Sequence, residues 1–157
     1  MKRTWIAGIA VLGAVGWYLF RPELLFVNTR VNEAAAEAQG GAMTALLRGQ
    51  FHSVAHETRG TATLQDLGGG RRVLRLTEFA TSNGPDVRVY LVAANDAADD
   101  ATVTAAGFVE LGKLKGNEGD QNYDVPAGVD LAKYRAVTIW CRRFGVNFAT
   151  APLTPAS

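Results

Sequence analysis

Short apolar runs separated by turn-forming residues dominate this chain and leave few folds open to it. Over residues 49–153, runs rich in Val, Thr, Leu, Phe and Tyr alternate with Gly, Pro, Asn and Asp. This composition and spacing are typical of strands joined by hairpins. We count about seven or eight such runs, a number that fits two sheets packed face to face. The sequence therefore predicts an all-β domain over residues 49–157, an antiparallel two-sheet, jelly-roll-like β-sandwich.

The first predicted hairpin lies around three consecutive glycines. Residues 61–64 and 72–79 have strand composition, and the glycines at 68–70 between them can adopt the positive φ angles of a tight turn. In the run 87–91 the odd-numbered residues are apolar, which predicts that one face of that strand lies in the core. Further strands are predicted at 102–111, 119–125, 135–143 and 146–153, and a surface loop at 95–100.

The N-terminal segment is predicted to lie in a membrane. Residues 4–20 carry no charge, and their 17 residues reach the lower end of the roughly 17–25 apolar residues that span a bilayer. Lys2 and Arg3 precede them, which predicts a cytoplasmic N-terminus and an extracytoplasmic domain, periplasmic or extracellular. The apolar run ends in bulky Trp17 and Tyr18 rather than in a small-residue cleavage site. We therefore predict an uncleaved signal anchor, a single-pass transmembrane helix over residues 1–27 in the cell membrane.

A spacer is predicted between this anchor and the β-rich domain. Residues 28–41 include an Ala- and Glu-rich stretch suited to a short helix, which Gly40 and Gly41 would end. We interpret residues 28–48 as a linker.

Composition excludes several classes of function. The chain has 16 basic and 15 acidic residues, so its charge favours no nucleic-acid partner. Its single cysteine, Cys141, cannot form an intramolecular disulfide or a cysteine-cluster metal site, because both need more than one thiol. The motifs of serine hydrolases with a nucleophile elbow, P-loop proteins and zinc proteases are missing from the sequence. A redox or binding module is therefore favoured over a stand-alone enzyme.

Cys141 is the residue on which a functional interpretation depends. In the run 136–143, Cys141 shares a strand face with the apolar residues two and four positions before it, and Trp140 lies on the opposite face. That pattern favours a buried thiol that acts as a small apolar group and is chemically inert. Arg142 and Arg143 follow directly, and a nearby guanidinium would instead favour a reactive thiolate. Both interpretations stay open on the residues alone.

The two histidines, His52 and His56, are four residues apart, a spacing that would bring both rings to one metal ion on a helix. On a strand, four residues separate Cα atoms by about 13 Å, so one ion could bind both rings only across a bulge or turn. The neighbouring residues favour extended structure. We therefore expect both histidines to lie at the surface, with ring nitrogens that bond to protein groups or to water, and any metal site stays unknown.

The segment 111–126 is predicted to form an ordered loop that leads into a strand. Its glycines allow turn conformations, its amide side chains can satisfy backbone groups, and Tyr123 can bury its ring. One interpretation is that the segment fixes a long connection. The other is that it forms a rim that closes over a ligand or partner near Cys141.

Several ordered blocks of the sequence resemble the DM-thirteen electron-transfer domain family. They are G-Q-F-x-x-x-x-H from Gly49 to His56 followed by Gly60, GPDVRVYL at 84–91, LGKLKGNEGDQNYDVP at 111–126 and VTIWCRRFGVNFATAPL at 137–153. The resemblance implies a compact β-rich extracytoplasmic module with a redox role. It further implies that Cys141 is either a bare redox thiol or the ligand of a prosthetic group such as haem, with His56 as the second-ligand candidate.

Two functions of different classes follow. In the first, the domain is a membrane-tethered electron-transfer or thiol-redox module centred on Cys141, with haem or no cofactor and a redox protein as partner. The neighbours or ligands of that centre would be His56, Trp140, Arg142, Arg143 and Tyr123. In the second, the domain is a non-catalytic binding or structural module in which Cys141 is core packing. Its partner loop would comprise Gly84, Pro85, Asp86, Lys115, Gly116, Asn117 and Gln121.

Overall fold

A computed structural model describes residues 2–20, 27–38 and 43–156 of the chain. The helices in these residues are α1 (Lys2–Phe20) and α2 (Asp100–Ala106). The strands are β1 (Thr44–Gln50), β2 (His52–Ser53), β3 (Arg59–Asp66), β4 (Arg72–Ala80), β5 (Val87–Val92), β6 (Phe108–Lys113), β7 (Gln121–Val125), β8 (Ala136–Cys141), β9 (Val146–Pro152) and β10 (Thr154–Pro155).

The strands form two antiparallel five-stranded sheets that pack as a β-sandwich. The order is β10-β1-β3-β4-β7 in the first sheet and β2-β9-β8-β5-β6 in the second. The predicted all-β, two-sheet sandwich is therefore confirmed. Strands β2 and β10 are only two residues long, too short to leave a periodic pattern in the sequence.

The triple glycine forms the predicted turn between β3 and β4. Gly68, Gly69 and Gly70 all have positive φ angles, of 82°, 61° and 79°. Asp66 Oδ1 accepts a hydrogen bond from the Gly68 backbone N–H at 2.8 Å, and this bond holds the start of the turn. The hairpin is possible because glycine, which lacks a Cβ, adopts these angles without steric cost.

The two faces of the second sheet are buried in different apolar clusters. Val87, Val89 and Leu91 of β5 belong to the main cluster, which contains residues of both sheets. Tyr90 of the same strand and Trp140 of β8 belong to a smaller cluster on the outer face, beneath α2. The predicted alternation along 87–91 is confirmed.

The prediction of a strand over residues 102–111 is wrong in its first half, where the chain forms α2. The Asp99 side chain caps this helix by accepting a hydrogen bond from the Thr102 backbone N–H at 2.7 Å. Val103 is fully buried beneath the helix. Gly107, with a φ of 85°, ends the helix, and β6 starts at Phe108. Capping and a single buried contact outweigh the β-propensity of the Thr and Val residues.

Helix α1 occupies most of the segment for which we predicted a membrane anchor. In the described part of the chain, no helix combines the length and the apolarity needed to cross a membrane. The transmembrane helix predicted over residues 1–27 is therefore not supported. The helix begins with the charged residues Lys2 and Arg3, which leaves the 17 uncharged residues at the lower end of the spanning range.

The segment predicted to be a helical spacer instead packs on the sandwich as an extended chain. Residues 27–34, which we call the strap, contain no helix, and Arg30 forms a parallel β-bridge with Glu118. The Val31 N–H donates to the Glu118 carbonyl at 2.9 Å, and the Glu33 N–H donates to the Asp120 carbonyl at 2.9 Å. These backbone bonds outweigh the helix propensity of the Ala and Glu residues. The linker boundary at residue 48 also falls within β1.

Candidate functional site

Strand β8 places Cys141 on the inner face of the second sheet. Val137, Ile139 and Cys141 belong to the main core cluster, whereas Trp140 belongs to the outer cluster. This is the two-residue alternation predicted from the sequence. Cys141 is 1% exposed, so the prediction that it is buried is confirmed.

The surroundings of Cys141 are closed and apolar. Its ladder partners are Val87 on β5 and Val146 on β9. Four cavities of the described surface, with volumes of about 170 to 680 Å³, all lack Cys141 in their linings. A haem needs an open face beside the ligating sulfur, and these surroundings offer none. The residues around Cys141 therefore do not fit a haem ligand.

Arg142 is bound to Asp86 and not directed at the thiol. Its Nε donates to Asp86 Oδ2 at 2.9 Å, and its backbone N–H donates to the Asp86 carbonyl at 2.9 Å. Arg88 Nε donates to Asp86 Oδ1 at 2.6 Å. Burial raises the pKa of Asp86, but the hydrogen bonds from Arg88 and Arg142 outweigh burial and lower that pKa below its usual value. The network ties β5 to the end of β8. Arg143 is exposed, and the tuning role for both arginines stays a prediction.

Trp140 connects the end of β8 to an aromatic row on the outer face. Its ring centroid lies 6.3 Å from that of Tyr90, and Tyr90 stacks on Phe108 with centroids 4.2 Å apart and planes nearly parallel. Phe108 is 44% exposed, so the row reaches the surface. Burial, followed by the charge of Glu110, raises the pKa of the Tyr90 phenol. The row links the residue next to Cys141 to solvent through aromatic rings.

The two histidines contact different parts of the sandwich. His56 is half-buried, and its ring lies on Phe148 with centroids 3.8 Å apart. Phe148 belongs to the same core cluster as Cys141. His52 is exposed and pairs with Asp96 at 3.0 Å. Across the described ranges, no group of three or more His, Cys, Asp or Glu side chains could hold a metal ion.

The two halves of the predicted partner loop lie side by side. Gly84 and Pro85 line a cavity of about 170 Å³ together with Lys115, Gly116 and Asn117. Gly84 is required there, because a Cβ at this position would lie 2.7 Å from the Val87 side chain and 3.1 Å from the Phe148 ring. Lys115 is exposed, whereas Gly116, Asn117 and Gln121 are buried. The partner role of this loop stays a prediction.

Residues 115–122 form a groove that holds the strap, and we call them the strap groove. A Cβ on Gly116 would collide with the Thr29 carbonyl, and one on Gly119 would collide with the Val31 carbonyl. Asn117 Oδ1 accepts a hydrogen bond from the Thr29 backbone N–H at 2.7 Å. Two glycines thus give the backbones room for close approach, and an amide side chain fixes where the strap enters.

Glu33 is the polar anchor of the strap. Lys115 Nζ donates to its carboxylate at 2.7 and 2.9 Å, and the Asn122 backbone N–H donates at 2.7 Å. The hydrogen bond from Lys115 is the largest influence that lowers the pKa of Glu33. Arg75 donates to the Glu33 carbonyl at 3.2 Å and to Asp120 Oδ2 at 2.8 Å. Both the backbone and the side chain of this residue are therefore held.

Tyr123 and Gln121 support the groove from inside. The Tyr123 hydroxyl donates to Gln121 Oε1 at 2.7 Å and accepts from the Lys115 backbone N–H at 3.1 Å. Gln121 Nε2 donates to the Gly116 carbonyl at 2.8 Å. Burial raises the pKa of the Tyr123 phenol. The predicted burial of Tyr123 is confirmed, and the segment behaves as an ordered connection.

The strap is the main feature that sequence reasoning missed. The sequence predicts turn residues at Gly116 and Gly119, whereas in the structure these glycines leave space for a second backbone. The pairs that hold the strap lie far apart in the chain, by 42 positions for Glu33 and Arg75 and by 82 positions for Glu33 and Lys115. A single sequence carries no local pattern that links residues so distant.

Comparison with known proteins identifies one family. The model of the family described as "Electron transfer DM13" matches residues 50–153. This span covers more than half of the 157 residues and includes every strand from β2 to β9. No curated protein and no solved structure matches the chain.

Proposed function

This chain belongs to the electron-transfer DM13 family, and we propose from that membership that its β-sandwich takes part in electron transfer through Cys141. The observation that carries the proposal is the family match over residues 50–153. Cys141 is the only thiol of the chain, and a thiol can be oxidised and reduced reversibly. It lies at the end of β8, next to Trp140 and within the matched region.

Enclosure of the thiol limits how electrons would reach it. At 1% exposure, Cys141 cannot touch a partner while the sandwich is closed. Electrons would pass through the aromatic row of Trp140, Tyr90 and Phe108, or the end of β8 would open locally. One-electron oxidation of the thiol yields a thiyl radical and releases one proton to solvent, and the electron goes to a redox protein or an electrode.

Protein-film voltammetry of the full chain tests this proposal. We expect a one-electron wave whose midpoint potential falls by about 59 mV per pH unit, because each electron is accompanied by one proton. Cys141→Ala should abolish the wave. Val137→Ala, on the same face of β8 and equally buried, is the matched control and should retain it. A wave that persists in Cys141→Ala, or no wave in the wild type, would contradict the role of Cys141.

A second function is supported by the burial of Cys141 itself. Its apolar, closed surroundings suit a core residue, and in that case the domain is a binding or structural module. The exposed Lys115 and the half-buried Gly84, Pro85 and Asp86 would then contact a protein partner. Cys141→Ala would leave partner binding intact, whereas Lys115→Glu would weaken it. Partner binding by Cys141→Ala and Lys115→Glu therefore separates this function from the redox role.

We also propose that α1 holds the domain at a membrane, on the extracytoplasmic side. The proposal is supported by the apolar composition of α1 and by exposed side chains along it, namely Ile9, Val11, Leu12, Val15, Trp17 and Tyr18. The test is fractionation of cells that express the full chain, with protease added to intact cells to find the side. Leu12→Arg should move the protein out of the membrane fraction, whereas Thr104→Arg on the exposed face of α2 should not. Equal fractionation of the two variants would contradict attachment through α1.

A further inference from the structure

Three buried oxygen atoms on the outer face of the second sheet have no hydrogen-bond partner among the described residues. They are Oγ1 of Thr138, Oγ1 of Thr150 and Oδ1 of Asn147. All three residues are 0% exposed. Buried polar side chains in native proteins nearly always have a partner, so three unpartnered atoms on one sheet face require an explanation.

The three side chains are neighbours on that face. Thr138 and Thr150 are direct ladder partners on β8 and β9, so their side chains lie side by side. A register shift in β9 near Phe148 places both Phe148 and Ala149 in the main core cluster. Asn147 and Thr150, on either side of this shift, therefore point together to the outer face. The shift thus puts the Asn147 side chain on the same face as the two hydroxyls.

The segment that contains α2 is hydrogen-bonded to one of these three residues, Asn147. Asn147 Nδ2 donates to the Ala97 carbonyl at 2.6 Å, and the Asn147 backbone N–H donates to Asp100 Oδ1 at 2.6 Å. Ala97 and Val103 are both 0% exposed. The nitrogen of the Asn147 amide is thus used to hold this segment, and its oxygen is left for another partner.

We propose that an ordered water molecule is bound in this place, between the sheet and the α2 segment. A water can donate to Asn147 Oδ1 and exchange hydrogen bonds with the hydroxyls of Thr138 and Thr150, each of which is both a donor and an acceptor. Buried waters typically make about three such bonds, and they occur where the lining is polar. The site is independent of Cys141, which lies on the opposite face of β8.

Nuclear magnetic resonance of the full chain tests the site directly. We expect cross-relaxation between a long-lived water and the methyl protons of Thr138 and Thr150. The variants Thr138→Val and Thr150→Val keep the shape but remove one hydroxyl each, and together they should abolish these signals. Each should also lower the urea midpoint of unfolding, because the water loses a partner. Thr63→Val, a half-buried position in the first sheet, is the matched control and should leave the water signals unchanged.

Three results would overturn the proposal. If the Val variants were more stable than the wild type and no water signal appeared, the three oxygens would be dry. If the variants were less stable but the wild type still showed no water signal, the two hydroxyls would bond to each other. If sodium chloride stabilised the wild type more than choline chloride did, and Thr138→Val removed that difference, the ligand would be a monovalent cation.

Discussion

The surroundings of Cys141 and the strap groove are two ordered regions of one sandwich, held by different forces. Around Cys141 the contacts are apolar and come from strands adjacent in the second sheet. In the groove they are hydrogen bonds and an ion pair between residues distant in the chain, such as Glu33 and Lys115. The apolar region tolerates changes that preserve volume. The polar region depends on close backbone approach and on matched donors and acceptors.

The largest effect is expected where the groove leaves no room for a side chain. Gly119→Ala would place a Cβ against the Val31 carbonyl and should lower the free energy of unfolding by about 3 kcal/mol. Gly70→Ala is the matched control, because Gly70 also has a positive φ but nothing lies within 4 Å of its Cβ position. We expect it to cost about 1 kcal/mol. Urea denaturation measures both, and equal losses would contradict a steric role for Gly119.

A smaller loss of stability is expected when a polar atom is placed in the core at position 141. Cys141→Ser would bury a hydroxyl among apolar residues and should lower the free energy of unfolding by about 2 kcal/mol. Cys141→Ala removes the sulfur and leaves a small cavity, for which we expect about 1 kcal/mol. Chemical denaturation of both variants tests this order. A smaller loss of stability for Cys141→Ser than for Cys141→Ala would contradict the apolar surroundings of Cys141.

A substitution in the charge network of Asp86, Arg88 and Arg142 tests whether Arg142 influences the thiol of Cys141. Asp86→Asn removes the carboxylate that Arg88 and Arg142 share and should lower the free energy of unfolding by about 1 to 2 kcal/mol. Because Arg142 points to Asp86, we expect the midpoint potential of Cys141 to stay unchanged. Voltammetry of this variant beside the wild type measures the potential. A shifted midpoint would show that the arginine acts on the thiol, as the sequence suggested.

The smallest effect is expected at the partly exposed strap anchor. Glu33→Gln should lower the free energy of unfolding by about 1 kcal/mol near neutral pH. The folded state lowers the pKa of Glu33 below its ordinary value of 4.5. Its contribution is therefore complete above about pH 4.5 and is lost as the pH falls through the folded-state pKa.

Denaturation of wild type and Glu33→Gln at several pH values measures this difference. The gap between them should close on acidification. Glu37→Gln, an exposed position just after the strap, is the control and should match the wild type throughout. A gap that stayed constant down to pH 2 would mean that the charge of Glu33 is not what holds the strap.

The same contrast explains what could be predicted from the sequence. The alternation along 87–91 and 136–141 placed Val87 and Cys141 in the core correctly, because period-two patterning is local to each strand. The turn at 68–70 followed from glycine alone. Where a tertiary contact opposes local propensity, prediction failed. Residues 102–106 have β-forming side chains but become α2 through the Asp99 cap and the burial of Val103, and the strap is extended because its backbone binds residues 118 and 120.

The site could be predicted only in part for a related reason. Burial of Cys141 follows from its position in the strand alternation, and Cys141 and Tyr123 are both buried. The binding of Arg142 to Asp86 joins two strands that no local signal relates. The proposed function rests on the family match, because spacing and composition carry no redox signature.

The rate at which Cys141 reacts with an alkylating reagent, in the native and in the denatured full chain, tests whether this thiol is enclosed in the core of the sandwich. We predict native alkylation many times slower than denatured alkylation, with a rate that rises as urea opens the sandwich. Rapid native alkylation without denaturant would show that the thiol is open to reagents, and it would contradict the burial of Cys141.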